Sequence, residues 1–250
     1  MRRLLPEPAT DLPLEHLPGL VAAERRTAPE DRPWLAVNMV ASVDGAIQVD
    51  GRSGGLGGPS DLAMFRSLRE MADAVLAGAG TVRAEDYGPV VIGEEGRDRR
   101  RSRGQAELPR LVVVSASLRL DPGARLFADP TQRPIVVTCA SAPEDARRRL
   151  ADVADLLVAG EATVDLADAM GQLRSVGAEV VLCEGGPTLN AQLLAEDLVD
   201  EWCQTVAPLL ASGSELRGTQ SASPGVVRRL RLARAIAGAD GELLLRYTRG

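Results

Sequence analysis

The sequence predicts an α/β protein built on a mostly parallel sheet with an antiparallel C-terminal edge. Two observations lead to this fold class. Short apolar runs typical of buried strands alternate with helical segments between about residues 33 and 195. The last strand-like runs then follow one another without a helix between them. No repeat or change of composition divides the chain, which predicts a Pro-rich leader, 1–32, followed by one domain, 33–250.

The individual elements are predicted in chain order. Apolar runs that are too short for helices predict strands over 35–43, 74–78, 111–115, 134–138, 155–159, 178–183, 201–210, about 227–236 and 243–249. Helices are predicted over 59–71, briefly after 78, and over 143–150, 164–175 and 187–194. The polar segment 88–109 is predicted to be a long loop. It contains an arginine run, Arg97–Arg103, which is expected to be solvated or, alternatively, to bind phosphate.

The composition excludes several kinds of chemistry. The chain of 250 residues has no lysine, so it cannot form a Schiff base or use a phosphate-loop lysine. One histidine, His16, and three widely spaced cysteines argue against a zinc site and a Ser-His-Asp triad, so no metal is expected. The net charge of −6 argues against nucleic acid and anionic membranes as partners. Reduced cysteines, and no signal peptide or membrane span, lead us to expect a cytoplasmic protein.

Three predicted strand ends carry residues suited to ligand binding, because open α/β sheets bind ligands at the carboxyl ends of their strands. The first is Ser42-Val43-Asp44-Gly45, which could hold a polar ligand or form a simple turn. The second is Gly78-Ala79-Gly80-Thr81, where the backbone could approach a phosphate or a ring, or pack tightly against the following helix. The third is Glu184-Gly185-Gly186-Pro187-Thr188, which could cradle an anion or only cap a helix.

Two glycine-lined strand ends in one sheet together favour a nucleotide site. A chain poor in histidine, lysine and cysteine also suits hydride transfer, since the cofactor supplies the reactive group and the protein orients the reactants.

In this order the three strand ends resemble the RibD C-terminal family of riboflavin biosynthesis, which has a dihydrofolate reductase-like fold. The motifs that carry the resemblance are NMVASVDG (38–45), GGPSDLAMFRSLREMADAVLAGAGTVRAED (57–86) and EVVLCEGGPTLNAQLL (179–194). The resemblance covers nearly the whole chain from about residue 33 to 249 and implies helices on both faces of the sheet and a homodimer.

The resemblance also implies an activity, namely reduction of a phosphoribosylamino-pyrimidine by NADPH, with hydride delivered to C1′ of the opened sugar. Asp44 and Glu184 are the implied catalytic residues, and Asn38, Ser42 and Asp61 are candidates for substrate binding. The implied cofactor-binding residues are Gly78, Gly80, Thr81, Gly185, Gly186, Pro187 and Thr188, with Ser115, Ser117 and Arg119 as candidates for selecting NADPH.

The sequence departs from the family pattern at the substrate end. Asn38 stands where many members have lysine, and no arginine closely follows Glu85-Asp86-Tyr87-Gly88-Pro89 to hold a substrate phosphate. The arginine run Arg97–Arg103 could replace it. Two alternatives therefore stay open: a reductase of a related substrate such as dihydrofolate or a pterin, and a non-catalytic nucleotide-binding protein with the same fold.

Overall fold

A computed structural model describes residues 1–212, 216–220 and 225–250 of the chain. Its centre is a ten-stranded sheet with the spatial order β1-β9-β10-β8-β2-β7-β3-β4-β5-β6. The strands are β1 (Arg2–Leu5), β2 (Trp34–Ser42), β3 (Ala74–Gly78), β4 (Arg110–Val114), β5 (Ile135–Thr138), β6 (Asp155–Val158), β7 (Val180–Cys183), β8 (Glu201–Ala207), β9 (Arg231–Ala237) and β10 (Leu243–Thr248). The α-helices are α1 (Leu17–Ala23), α2 (Pro59–Met71), α3 (Ala79–Ala84), α4 (Glu94–Ser102), α5 (Glu144–Ala151), α6 (Leu166–Ser175) and α7 (Pro187–Ala195).

The predicted fold class is confirmed by the strand pairings. From β8 to β6 every neighbouring pair is parallel, whereas β10 pairs antiparallel with both β8 and β9. Parallel strands need crossover helices, and the alternating strand and helix pattern supplies them. The carboxyl ends of β2, β7, β3 and β4 therefore lie at one edge of the sheet.

Side chains that alternate along each buried strand pack against helices on opposite faces of the sheet. In β3, Ala74 and Leu76 pack in one cluster with residues of α6 and α7. Val75 and Ala77 point the other way, into a cluster with residues of α3 and α5. The sheet is thus covered on both faces, as the near-continuous apolar strands require. No helix in the described ranges is long and apolar enough to cross a membrane.

The leader, 1–32, contributes regular structure. β1 pairs antiparallel with β9 at the edge of the sheet, and α1 packs against α2. Arg26 extends from the leader to Glu201, which is fully buried and also accepts a hydrogen bond from Arg246. These contacts hold the leader on the domain.

The long loop predicted for 88–109 is wrong, because residues 94–102 form the helix α4. Glu94 and Glu95 lie in its first turn and arginines in its last turn, which is the charge order that the helix dipole favours. Arg99 pairs with Glu70, and the buried Arg100 donates to the main-chain oxygens of Glu70 and Ala72. Arginine is also a good helix former, so a run of arginines is compatible with a helix as well as with a solvated loop.

Candidate functional site

A cavity of about 1180 Å³ opens at the carboxyl ends of β2, β3, β4 and β7, where open α/β sheets bind ligands. It is lined by residues of β2, by the glycine-rich ends of β3 and β7, by the segment after β4 and by one face of α2. The predicted site residues on its wall are Asn38, Asp61, Gly78, Gly80, Thr81, Ser115, Ser117, Glu184, Gly186, Pro187 and Thr188. The predicted residues Ser42, Asp44, Arg119 and Gly185 are not part of the lining.

Glycines form the part of the wall where β3 and β7 end. The amide of Gly78 donates to the carbonyl oxygen of Gly185 at 2.8 Å, which joins the two strand ends directly. Gly185 has a φ of +94°, a backbone conformation that side chains disfavour. A Cβ on Gly186 would lie 2.4 Å from Oγ1 of Thr81, whereas a Cβ on Gly80 would meet no atom within 4 Å. Tight packing thus explains Gly186, while Gly80 faces open space.

Glu184 is held by two side chains that the sequence did not single out. Nε and Nη2 of Arg69 each donate to its carboxylate at 2.7 Å, and the hydroxyl of Tyr87 donates to Oε2 at 2.8 Å. Burial raises the pKa of the Tyr87 phenol, and the negative charge of Glu184 raises it further, so this hydroxyl keeps its proton. The charge of Glu184 is neutralised within the cavity wall, and the pair forms a fixed polar surface.

One face of α2 brings three side chains to the cavity at intervals of one helical turn. Asp61, Phe65 and Arg69 all line it, and the guanidinium of Arg69 stacks on the Phe65 ring at 4.2 Å from the centroid. The spacing of four residues was readable in the sequence. The apolar pattern of α2, however, favours a core position for Phe65 together with Leu68 and Met71, and only the latter two are buried.

Asp44 and Ser42 lie in the turn that follows β2. The Ser42 hydroxyl donates to Oδ1 of Asp44 at 2.5 Å and accepts from the amide of Ala46. Asp44 also accepts from the amide of Ala211. The hydrogen bond from Ser42 lowers the pKa of the exposed Asp44 carboxyl. The two side chains thus bond to each other and to the turn, outside the cavity lining, and their predicted roles in catalysis and substrate binding stay predictions.

After β4, Ser115 and Ser117 line the cavity. An arginine also lines it at this end, but that arginine is Arg83 and not Arg119. The side chain of Arg119 is exposed and outside the lining. Arg83, from α3, lines the cavity, and its Nη1 donates to the main-chain oxygen of Arg119 at 2.9 Å. No carboxylate in the described part of the chain pairs with Arg83, so its charge is available at this end of the cavity.

The arginine run Arg97–Arg103 contributes no side chain to the cavity lining among the described residues. Arg99 and Arg103 face Glu70, and Arg101 pairs with Asp98 and Glu107. The structure thus uses this run to hold α4 against α2.

The strand order and the position of the cavity define an α/β protein with a ligand site at the carboxyl edge of a mostly parallel sheet. Within that class, the chain can be assigned to one family. The family model of the RibD C-terminal domain matches residues 33–242, and the chain belongs to this family.

Individual relatives agree with this assignment. The chain is 34% identical over 185 residues to the 2,5-diamino-6-ribosylamino-4(3H)-pyrimidinone 5′-phosphate reductase of Archaeoglobus fulgidus, covering 74% of this chain and 84% of the relative. It is 32% identical to the enzyme of the same name from Methanothermobacter thermautotrophicus, covering 74% of this chain and 82% of that relative. Among solved structures, a pyrimidine reductase-like protein from Corynebacterium diphtheriae matches with a TM-score of 0.79 and 29% identity, covering 87% of this chain and 92% of that one.

Proposed function

We propose that this protein is an NADPH-dependent reductase of a phosphoribosylamino-pyrimidine in riboflavin biosynthesis. The observation that carries the proposal is the cavity itself. One part of its wall is made of glycines at two strand ends, and another part presents fixed polar side chains on α2 and β7. Two of the relatives are named as reductases of such a pyrimidine, which supports the same substrate class.

The residues present fit a dinucleotide. The cavity of about 1180 Å³ is larger than a typical site for one small ligand, so it has room for a cofactor and a substrate together. Gly80 leaves open space beside its backbone. At Gly186 the absence of a side chain allows the backbone to lie against Thr81. Gly78, Gly80, Thr81, Gly186, Pro187 and Thr188 would hold the nicotinamide and phosphates, with Gly185 fixing the backbone behind them. When bound, NADPH supplies the hydride.

The substrate would lie against α2 and the end of β2. Asn38 and Asp61 present polar groups there, and the Glu184–Arg69 pair with Tyr87 provides further donors and acceptors in fixed positions. The Phe65 ring lies beside them and suits the face of a pyrimidine. Arg69 is the one arginine among the described residues that lines this end of the cavity, and its Nε and Nη2 already bond Glu184.

The test is NADPH oxidation, followed by loss of the reduced-nicotinamide absorbance, with three substrates in parallel. These are 2,5-diamino-6-ribosylamino-4(3H)-pyrimidinone 5′-phosphate, its deaminated uracil counterpart and dihydrofolate. We expect turnover with one of the two phosphoribosylamino-pyrimidines and a much lower kcat/KM with dihydrofolate. Faster turnover of dihydrofolate would favour the related-substrate alternative. NADPH binding without any turnover would favour a non-catalytic nucleotide-binding protein.

A further inference from the structure

A short segment between β8 and β9, residues 216–220, belongs to no helix or strand but contributes to the cavity wall. We call this segment the strap. Its first residue, Leu216, lines the cavity. At its other end, the amide of Gln220 donates to the main-chain oxygen of Pro187, the first residue of α7, at 3.0 Å. The strap is therefore attached to the helix that begins at the glycine turn after β7.

The side chain of Asn190 makes a second attachment of the strap to α7. Asn190 lies near the start of α7, is fully buried and does not itself line the cavity. Its Nδ2 donates to the main-chain oxygen of Gly218 at 2.8 Å and contacts Sδ of Met39 at 3.3 Å. Met39 belongs to β2 and lines the cavity. One buried amide group thus joins the strap, α7 and β2.

A neighbouring thiol fixes the orientation of this amide group. Sγ of Cys183, at the end of β7, donates to Oδ1 of Asn190 at 3.4 Å. Burial raises the pKa of the Cys183 thiol to about 12, so the thiol keeps its hydrogen. The main-chain oxygen of Gly218 can only accept a hydrogen bond. Asparagine suits this position because it offers an acceptor to the thiol and a donor to the carbonyl, whereas an apolar side chain would leave both without a partner.

We propose that Asn190 is a positioning residue for the reduction, which holds the strap so that Leu216 packs against the bound cofactor and substrate. The inference rests on the proposed function. The strap begins near the turn after β2, where a Cβ on Gly45 would lie 3.9 Å from Nη1 of Arg217, and it ends at the start of α7. It thus spans from the proposed substrate side of the cavity to the proposed cofactor side. Between them, Leu216 presents an apolar surface to the ligands.

The decisive variant is Asn190→Leu, which keeps the size of the side chain but removes the donor to the Gly218 oxygen. Leu216 would contact the ligands equally before and during hydride transfer. We therefore expect the KM for NADPH and for the pyrimidine to rise about tenfold, with kcat changed by less than about threefold. Leu216→Ala should raise the same KM values by a similar factor. Because both changes remove one contact, the double variant should be no worse than either single variant.

Leu193→Ala is the matched control for damage to α7. Leu193 lies one turn further along the helix, is fully buried in the core and does not line the cavity. The cavity left by this change should lower the melting temperature at least as much as Asn190→Leu, with both KM values within about twofold of those of the unchanged protein. KM values in Asn190→Leu that stay within this range, an equal rise in Leu193→Ala, or a double variant in which the two effects multiply would overturn the proposal.

A second readout needs no ligand. Hydrogen exchange of the peptide that contains residues 216–220 reports on the strap, because the Gln220 amide is bonded to α7. We expect exchange there to be about tenfold faster in Asn190→Leu and within about threefold of the unchanged protein in Leu193→Ala. Unchanged exchange in Asn190→Leu would show that Asn190 does not hold the strap. Absence of NADPH binding and of pyrimidine turnover in the unchanged protein would instead reject the proposed function, and the exchange measurement would still decide whether Asn190 holds the strap.

Discussion

Arg83→Ala is the sharpest test of whether the proposed cofactor site prefers NADPH to NADH. Two arginines line the cavity in the described residues, and Arg69 is occupied by Glu184. A hydrogen bond of 2.9 Å to the main-chain oxygen of Arg119 holds Arg83 beside the carboxyl end of β4. In a chain without lysine, this guanidinium is the available cation next to Ser115 and Ser117 for an additional phosphate.

The size of the effect follows from the exposure of Arg83. A hydrogen bond to a charged group contributes about 1.5–3 kcal/mol, and about 1.4 kcal/mol corresponds to a tenfold change in affinity. Because Arg83 is exposed to solvent and screened by salt, we take the lower end of that range. We therefore expect Arg83→Ala to raise the KM and Kd for NADPH about tenfold and to change those for NADH less than twofold.

The matched comparison is Arg119→Ala, which removes the same kind of exposed side chain but leaves the main-chain oxygen that positions Arg83. Steady-state kinetics with NADPH and NADH, together with titration calorimetry of NADP⁺ and NAD⁺, would measure both variants. If Arg119→Ala weakened the binding of NADPH alone and Arg83→Ala had no effect, Arg119 would be the residue that selects NADPH, as the sequence predicts. Equal losses with both cofactors in Arg83→Ala would show that the residue does not read the additional phosphate.

Three further predictions concern the cavity wall and the buried charges. Gly186→Ala should raise the KM for NADPH at least tenfold, because its Cβ would lie 2.4 Å from the Thr81 hydroxyl oxygen, and adding Thr81→Ala should recover part of that loss. Glu184→Gln should lower the free energy of unfolding in urea by about 3 kcal/mol, since it leaves the Arg69 guanidinium without its charge partner; combining it with Arg69→Met should restore stability but not activity. Burial raises the pKa of Glu201, but the charges of Arg26 and Arg246 lower it from 4.5 to about 2, so up to about 3 kcal/mol of stability present above pH 4.5 should be lost as the pH falls towards 2. Urea unfolding of Glu201→Gln at several pH values checks this, and a difference from the unchanged protein that does not shrink in acid would contradict it.

The parts of the fold that the sequence predicts best are those set by local patterns. Residues 59–71 and 74–78 begin and end where the pattern places them, because Pro59 suits a first helical turn and the strand is uniformly apolar. The predicted strand 201–210 ends earlier, at Ala207, before Pro208. The leader strand Arg2–Leu5 has no local signal, since its pairing partner β9 lies more than 200 residues away.

The predicted and the missed site residues differ in the same way. The predicted ones carry a local sequence signal, whereas the missed ones depend on contacts between distant segments. Glycines after apolar strands are a local signal, and Gly78, Gly80 and Gly186 were readable from it. The partners of Glu184 are not local, because Arg69 and Tyr87 are 115 and 97 residues away in the chain. The arginine run Arg97–Arg103 gave a misleading signal because charge alone does not distinguish a solvated loop from a helix paired with Glu70.

The two carboxyl groups that line the substrate end lie in different environments, and this difference favours different roles in the proposed function. Glu184 accepts three hydrogen bonds from Arg69 and Tyr87, so its oxygens are satisfied and its charge is balanced. Asp61 is half-buried on the same wall, and no arginine in the described ranges forms an ion pair with it. A carboxyl group in the first environment is suited to holding other side chains in place, whereas the oxygens of one in the second remain able to accept hydrogen bonds from a ligand. In the proposed function Glu184 is therefore the fixed acceptor that orients Arg69 and Tyr87, and Asp61 is the acceptor on α2 that meets the substrate.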